Sequence, residues 1–162
     1  MTPLLHIGPE PLVLEPLLDA VGAPHVPAGE AGAVVVFLGL VRNQNLGRQV
    51  LYLEYEAYEA LAVRAFERIA REVQVRWPGV RLVLHHRTGR VALGEASVVI
   101  VTTSAHRADA YQASRYVIER IKQIAPIWKR EFFEGGAVWI EGATADPDDE
   151  HARQTAERVA CA

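Results

Sequence analysis

The sequence predicts an α/β fold of two layers, an α+β arrangement with a mostly antiparallel sheet and two main helices. Three observations carry that expectation. Two long segments repeat apolar residues at helical spacing. The segments between them alternate, or run continuously apolar, over strand lengths. Their order reads strand–strand–helix–strand–strand–helix–strand–strand, and short connections of this kind favour antiparallel neighbours.

Each element has a local reason. Residues 1–29 are punctuated by Pro and Gly and hold one apolar piece, PLVLEPLLDAV, which reads as an edge strand and then a short helix. The run AGAVVVFLGLV suits a buried strand over 32–41 and is too short to cross a bilayer. The polar loop RNQNLGRQ follows, and VLYLEYEAY resumes as a strand. Leu61, Ala65, Phe66, Ile69, Ala70 and Val73 place an apolar stripe on a helix over roughly 58–76, ended by WPG. VRLVLHHRTG alternates as a half-buried strand, and ASVVIVTTS is a second one. The second helix spans roughly 105–124 with Ser104 as its N-cap, and Pro126 stops it. IWKREFF and AVWIEG are two strands joined at Gly135-Gly136. The sequence divides into a single domain over 1–141 and an acidic tail over 142–162, solvated at DPDDE and able to carry a short helix.

Composition narrows the function. A formal net charge of −3 disfavours nucleic-acid binding. No cationic, apolar leader opens the chain, so a soluble, cytoplasmic protein away from membranes is expected. The single cysteine, Cys161, excludes an intrachain disulfide and a multi-cysteine metal site. His85 and His86 are adjacent on a strand and point to opposite faces, so they do not share a metal. No resident metal or cofactor is expected.

The basic residues are the informative ones. Of 17, only Lys122 and Lys129 are lysine; the other 15 (17 minus 2) are arginine. Arg stays charged, whereas Lys can lose its proton near other cations or when buried, and can act as a nucleophile or proton carrier. Alternation puts Lys129 on the strand face opposite Trp128 and Arg130, and Lys122 lies beside the core stripe of its helix, where partial burial is expected. In SAHRADA, His106 and Arg107 put cations in a helix's first turn, where the dipole prefers negative charge. An anionic ligand would resolve that conflict; an exposed, hydrated His-Arg pair is the plain alternative. Arg42 stands where a buried strand emerges into a polar loop, a common place for a binding residue.

GLVRNQNLG, TSAHR and the two-lysine stretch containing APIWKRE, together with RWP and VWIE, resemble the large, catalytic subunit family of molybdopterin synthase over residues 30–141. The resemblance implies an α/β hammerhead fold with an added β subdomain. It implies conversion of cyclic pyranopterin monophosphate to molybdopterin, with two sulfurs installed as a dithiolene. The sulfur donor would be the C-terminal Gly-Gly thiocarboxylate of a small ubiquitin-like subunit. Two large subunits would form a central homodimer within a heterotetramer. By correspondence, Lys122 activates the reacting centre and Lys129 stabilises anionic intermediates. Arg42, His106 and Arg107 hold the substrate phosphate, with Arg130 in support. The family's basic residue after the WxE strand has no counterpart before Arg153. A non-catalytic phosphometabolite-binding or scaffold protein of the same fold is the alternative, and another acyl- or sulfur-transfer enzyme with a ubiquitin-like carrier is a further one.

Overall fold

The computed structural model describes residues 1–22, 30–140 and 142–162. Residues 23–29, which close the N-terminal segment, and Glu141, at the end of the VWIE stretch, lie outside the described residues. In chain order the elements are β1 (Leu5–Gly8), α1 (Leu14–Ala20), β2 (Ala33–Leu40), β3 (Gln44–Asn45) and β4 (Arg48–Ala57). Then come α2 (Glu59–Arg76), β5 (Arg81–Arg87), β6 (Gly89–Ala92), β7 (Ala96–Ser104) and α3 (Arg107–Ile124). β8 (Ile127–Phe133), β9 (Gly136–Ile140) and α4 (Glu150–Ala160) complete the chain. The expected α/β class is therefore the observed one.

One sheet has the order β1-β5-β7-β2, with only β1–β5 parallel. Strand alternation sends Leu84, Val98 and Ile100 to one face, where Phe66, Ile69 and Val73 of α2 and Val117 and Ile121 of α3 cover them. The other face presents Val83, Val99 and Val101 to Leu17 of α1 and to Val21 just past its end. Each fully buried side chain of this size contributes about 1.5–3 kcal/mol before conformational entropy is counted. The edge strand β2 is only half covered. Val34, Val36, Leu38 and Leu40 share its outer face and stay between 37% and 53% exposed.

The second sheet has the order β3-β4-β8-β9, with β6 also paired to β4. Its register fixes which side chains share a face. Tyr55 lies opposite Lys129, Leu53 opposite Glu131, and Glu54 opposite Arg130. Lys129 and Glu131 therefore point one way and Arg130 the other.

One sequence expectation changes here, and two segments gain detail. Ser104 continues β7, pairing with Ala33, so its backbone stays extended and the helix begins later, with His106 at the N-cap position. Ser104 Oγ still accepts from the His106 amide at 3.4 Å. The loop over 43–49 is a β3–β4 hairpin. Leu46 and Gly47 both take positive φ (48° and 77°), the geometry of a type I′ turn between Asn45 and Arg48. The tail is part of the folded body: Ala156 and Ala160 of α4 reach the main core. The DPDDE block is exposed, as expected, while Asp149 caps α4 and Asp148 pairs with Arg68; farther along α4, Glu157 pairs with Arg76.

A buried ionic group ties these layers. Arg120, with no exposed surface, donates from Nε and Nη2 to Glu72 of α2 at 2.9 and 2.8 Å. It also reaches Gln123 at 2.9 Å, and Tyr116 donates to Glu72 at 2.8 Å. Burial works to raise the Glu72 pKa, but the bonds from Arg120 and Tyr116 overcome it and hold the carboxyl below its usual range. The backbone carbonyl of Gln123 in turn accepts from the amides of Thr144 and Ala145, which fixes the chain leading to α4.

Candidate active site

A cavity of about 520 Å³ opens where the two sheets meet the C-terminal end of α3. Each element delivers a few groups to it. α3 brings Ile118, Ile121 and Lys122; β8 brings Lys129; β4 brings Tyr55. β5 supplies His86, β7 supplies Ser97 and Val98, and β2 supplies Phe37 and Gly39. Gly39 is required here, because a Cβ would sit 2.5 Å from Val98 Cγ1. Gly142 and Thr144 close one side. The volume and the mixture of apolar wall with few polar groups match a small-molecule site.

Both lysines of the chain line this one cavity, although seven residues and a helix end separate them. Pro126 explains how. It ends α3 just past Lys122, with Ala125 already extended (ψ 126°), and β8 then returns under the helix end so that Lys129 faces the same space. Lys122 is exposed at the rim, which differs from the partial burial expected of it, because the helix carries it past the edge of the sheet. Lys129 is the half-buried one. Burial lowers its pKa, the charge of Lys122 lowers it further, Glu131 opposes, and Arg42 adds to the lowering. Lys129 therefore gives up its proton more readily than an ordinary lysine.

Glu131 lies two residues beyond Lys129 on the same face of β8. It is 2% exposed and accepts from Asn45 Nδ2 at 2.7 Å and Arg48 Nε at 3.0 Å. The hairpin that follows Arg42 is thereby tied to the lysine strand. Val41, just before Arg42, is held by paired backbone bonds with Glu95 and Gly94.

The remaining sequence candidates fall elsewhere. Arg130 lies on the outer face of β8, its guanidinium over the rings of Phe132 and Trp139 at 5.0 and 5.7 Å. The alternation that points Lys129 inward points Arg130 away. His106 and Arg107 are exposed at the opposite end of α3 from Lys122. At 1.5 Å per residue, 16 helical steps place them about 24 Å away. Arg153 is held by Glu150 and Glu157 and so is not a free cation for a ligand. Among the described residues no group of three or more His, Cys, Asp and Glu could hold a metal ion. No helix among them is long and apolar enough to cross a membrane.

The comparisons bear on what such a cavity belongs to. A sequence profile described as MoaE protein matches residues 8–124. The chain belongs to the MoaE family. A relative in Halalkalibacterium halodurans, named molybdopterin synthase catalytic subunit, is 45% identical over 131 residues, covering 81% of each chain. The crystal structure of molybdopterin synthase from Staphylococcus aureus superposes with a TM-score of 0.80 at 38% identity, over 87% of this chain and 99% of that one. A complex of subunits 1 and 2 of the molybdopterin-converting factor from Helicobacter pylori gives a TM-score of 0.70 at 29% identity, over 86% and 91% of the two chains. Membership in the MoaE family agrees with the sequence resemblance. The cavity, however, also contains groups that sequence reasoning passed over: His86, Tyr55 and Ser97. Tyr55 and Ser97 carried no signal beyond a position near a strand end, and His86 showed only as half of an adjacent pair, which does not separate them from packing residues.

Proposed function

We propose that the chain is the catalytic subunit of a molybdopterin synthase. It converts cyclic pyranopterin monophosphate to molybdopterin with sulfur from the C-terminal Gly-Gly thiocarboxylate of a small ubiquitin-like subunit. The observation that carries this reading is the single cavity holding both lysines, one exposed at the rim and one half-buried with a lowered pKa. Family membership and the names of the relatives support it. The two-subunit assembly of the Helicobacter pylori neighbour supports a small-subunit partner.

The lysines divide the work by position. Lys122, on the open rim, meets the incoming carrier terminus and the pterin. It activates the reacting centre, as proton carrier or by covalent engagement. Lys129, deeper and flanked by cations, stabilises the anions formed as sulfur leaves the carrier. Cys161 lies at the exposed end of α4, and sulfur arriving on a partner needs no thiol in the cavity.

The substrate phosphate calls for more cations than one chain brings to the cavity. A second copy supplies them. β2 is an edge strand with an exposed apolar stripe, Val34 to Leu40. It runs from beside the α3 N-terminus, where Gly32 bonds Ser104, to the cavity wall at Gly39 and Leu40. Antiparallel apposition of two such strands about a twofold axis sets the His106–Arg107 end of one copy beside the Arg42 and Lys122 end of the other. The homodimer then holds the phosphate between Arg42 of one copy and His106 and Arg107 of the second, at a helix N-terminus that lacks any side-chain cap. Arg130 has no part in this pocket.

The test is single-turnover formation of the pterin dithiolene from cyclic pterin and thiocarboxylated small subunit. Wild type should form product. Lys122→Arg, still binding the small subunit, should form almost none, because arginine keeps the charge but not the proton transfer or nucleophilicity. No product from folded, partner-bound wild type would leave a binding protein that shares the fold.

A further inference from the structure

His86, Tyr55 and Ser97 form a polar part of the lysine cavity, and all three of their protons are engaged inside the protein. Tyr55 donates its hydroxyl to Ser97 Oγ at 3.2 Å, and Ser97 Oγ donates to the Gly39 carbonyl at 3.2 Å. His86 Nδ1 lies 2.8 Å from the Arg87 carbonyl oxygen, which can only accept. Nδ1 therefore carries the ring proton and Nε2 keeps its lone pair. Among the described residues no group bonds Nε2. Burial pushes the His86 pKa down to about 4, against the Arg87 bond, so the ring is neutral at pH 7. The Tyr55 ring meets it edge-on, with centroids 5.1 Å apart, and fixes its plane.

The cavity thus has two kinds of wall. The lysines, when protonated, offer donors and positive charge. His86 Nε2 and the Tyr55 oxygen offer only lone pairs. A ligand must bring N–H or O–H donors to His86 and Tyr55, and acceptors or negative charge to Lys122 and Lys129. The carrier terminus meets the lysines with its negative end, but its backbone alternates donors and acceptors along each edge and so presents no row of adjacent donors to His86 and Tyr55. A flat heterocycle with adjacent N–H donors on one edge fits it well, and Phe37, Val98 and Ile118 supply apolar surface for its faces.

We propose that His86, seated against Tyr55, accepts from the amino-pyrimidine edge of the pterin and makes the cavity selective for that ring. This rests on the functional reading above and names a specificity-determining residue within it.

The experiment compares pterin with lumazine, in which the 2-amino group is replaced by oxygen, by fluorescence titration of the folded full chain. Wild type should prefer pterin about tenfold, the effect of one hydrogen bond made or left unpaired. His86→Asn keeps an N–H toward the Arg87 carbonyl but removes Nε2, and should abolish the preference. His86→Gln, which can place an amide oxygen near the position of Nε2, should restore part of it. Affinity for the small subunit should not change in either variant. Should His86→Asn fail to fold, His86→Gln decides: a preference at least threefold below wild type supports the assignment, and an unchanged one overturns it. A folded His86→Asn that keeps the wild-type preference, or that loses small-subunit affinity instead, overturns the assignment. If wild type forms dithiolene yet shows no preference, the ring-edge contact alone is wrong. If wild type neither forms dithiolene nor binds pterin, the functional reading fails and this inference with it.

Discussion

Replacing Glu131 by Gln isolates the contact that ties the β3–β4 hairpin to the lysine strand. The wild-type carboxylate faces two donors, Asn45 Nδ2 at 2.7 Å and Arg48 Nε at 3.0 Å, in a place only 2% exposed. Gln has one oxygen and one NH2, so one donor keeps its acceptor and the other meets an N–H. Loss of one charged hydrogen bond, with a buried donor left unmatched, costs about 1.5–3 kcal/mol. Arg48 is about one-third exposed, so water screens its share and the lower half of that range applies. For a chain of this size each kcal/mol moves Tm by about 2–4 °C, which gives a drop of about 3–9 °C. Thermal unfolding followed by circular dichroism reads the shift. Limited proteolysis should show new cleavage near Leu46, which already sits at φ 48° on the hairpin tip. Arg48→Gln in the Glu131→Gln background should cost less than it does alone, because the two share one interaction. A Tm within 1 °C of wild type, with additive double-variant behaviour, would refute the claim that Glu131 holds the hairpin.

Lys122→Gln should raise the Lys129 pKa toward the ordinary lysine value, by removing one of the charges that depress it; the side-chain resonance of Lys129 followed through a pH titration reads the direction. The linkage has a definite sign. A lysine with a depressed folded pKa leaves the unfolded state holding more protons between the two pKa values, so stability rises with pH across that window, and Lys122→Gln should flatten the rise in urea titrations. Arg120→Met leaves the Glu72 carboxylate buried without its main partner and should cost about 3–5 kcal/mol by urea unfolding, whereas Arg120→Met combined with Glu72→Leu should recover much of it. Acid acts on the same group: a lowered folded pKa makes the Glu72 contribution complete above its unfolded pKa and lost as pH falls through the folded one, so Glu72→Gln should flatten the acid limb of the stability curve. Leu38→Lys, on the exposed β2 stripe, should yield a monomer by analytical ultracentrifugation and reduce product formation even though Lys122 and Lys129 are untouched; an intact dimer would place the interface elsewhere.

Periodicity and breakers were enough for the local elements. The stripe from Leu61 to Val73 could only be a helix, and Pro126 ended α3 within a residue of the expected place. The choice of lysine over arginine at 122 and 129 singled out two side chains that share one cavity, and the difference between the two residue types is the proton one of them can give up. Tertiary structure decided the rest. Whether Arg130 shares a pocket with Lys129 depends on which face of β8 is covered, and only the pairing with β4 and β9 shows that. His86 looked like half of an adjacent pair, yet its neighbour His85 bonds the Pro3 carbonyl while His86 lines the cavity. Glu131 appeared as the last letter of a motif and is a buried anchor for a hairpin more than eighty residues earlier. The sequence by itself determined what each segment is and which residue types can move protons or hold anions, because those properties are local. Which of them meet in one cavity was decided by long-range strand register and by a helix about 24 Å from His106 to Lys122, since contact between distant residues is a property of packing and not of spacing along the chain.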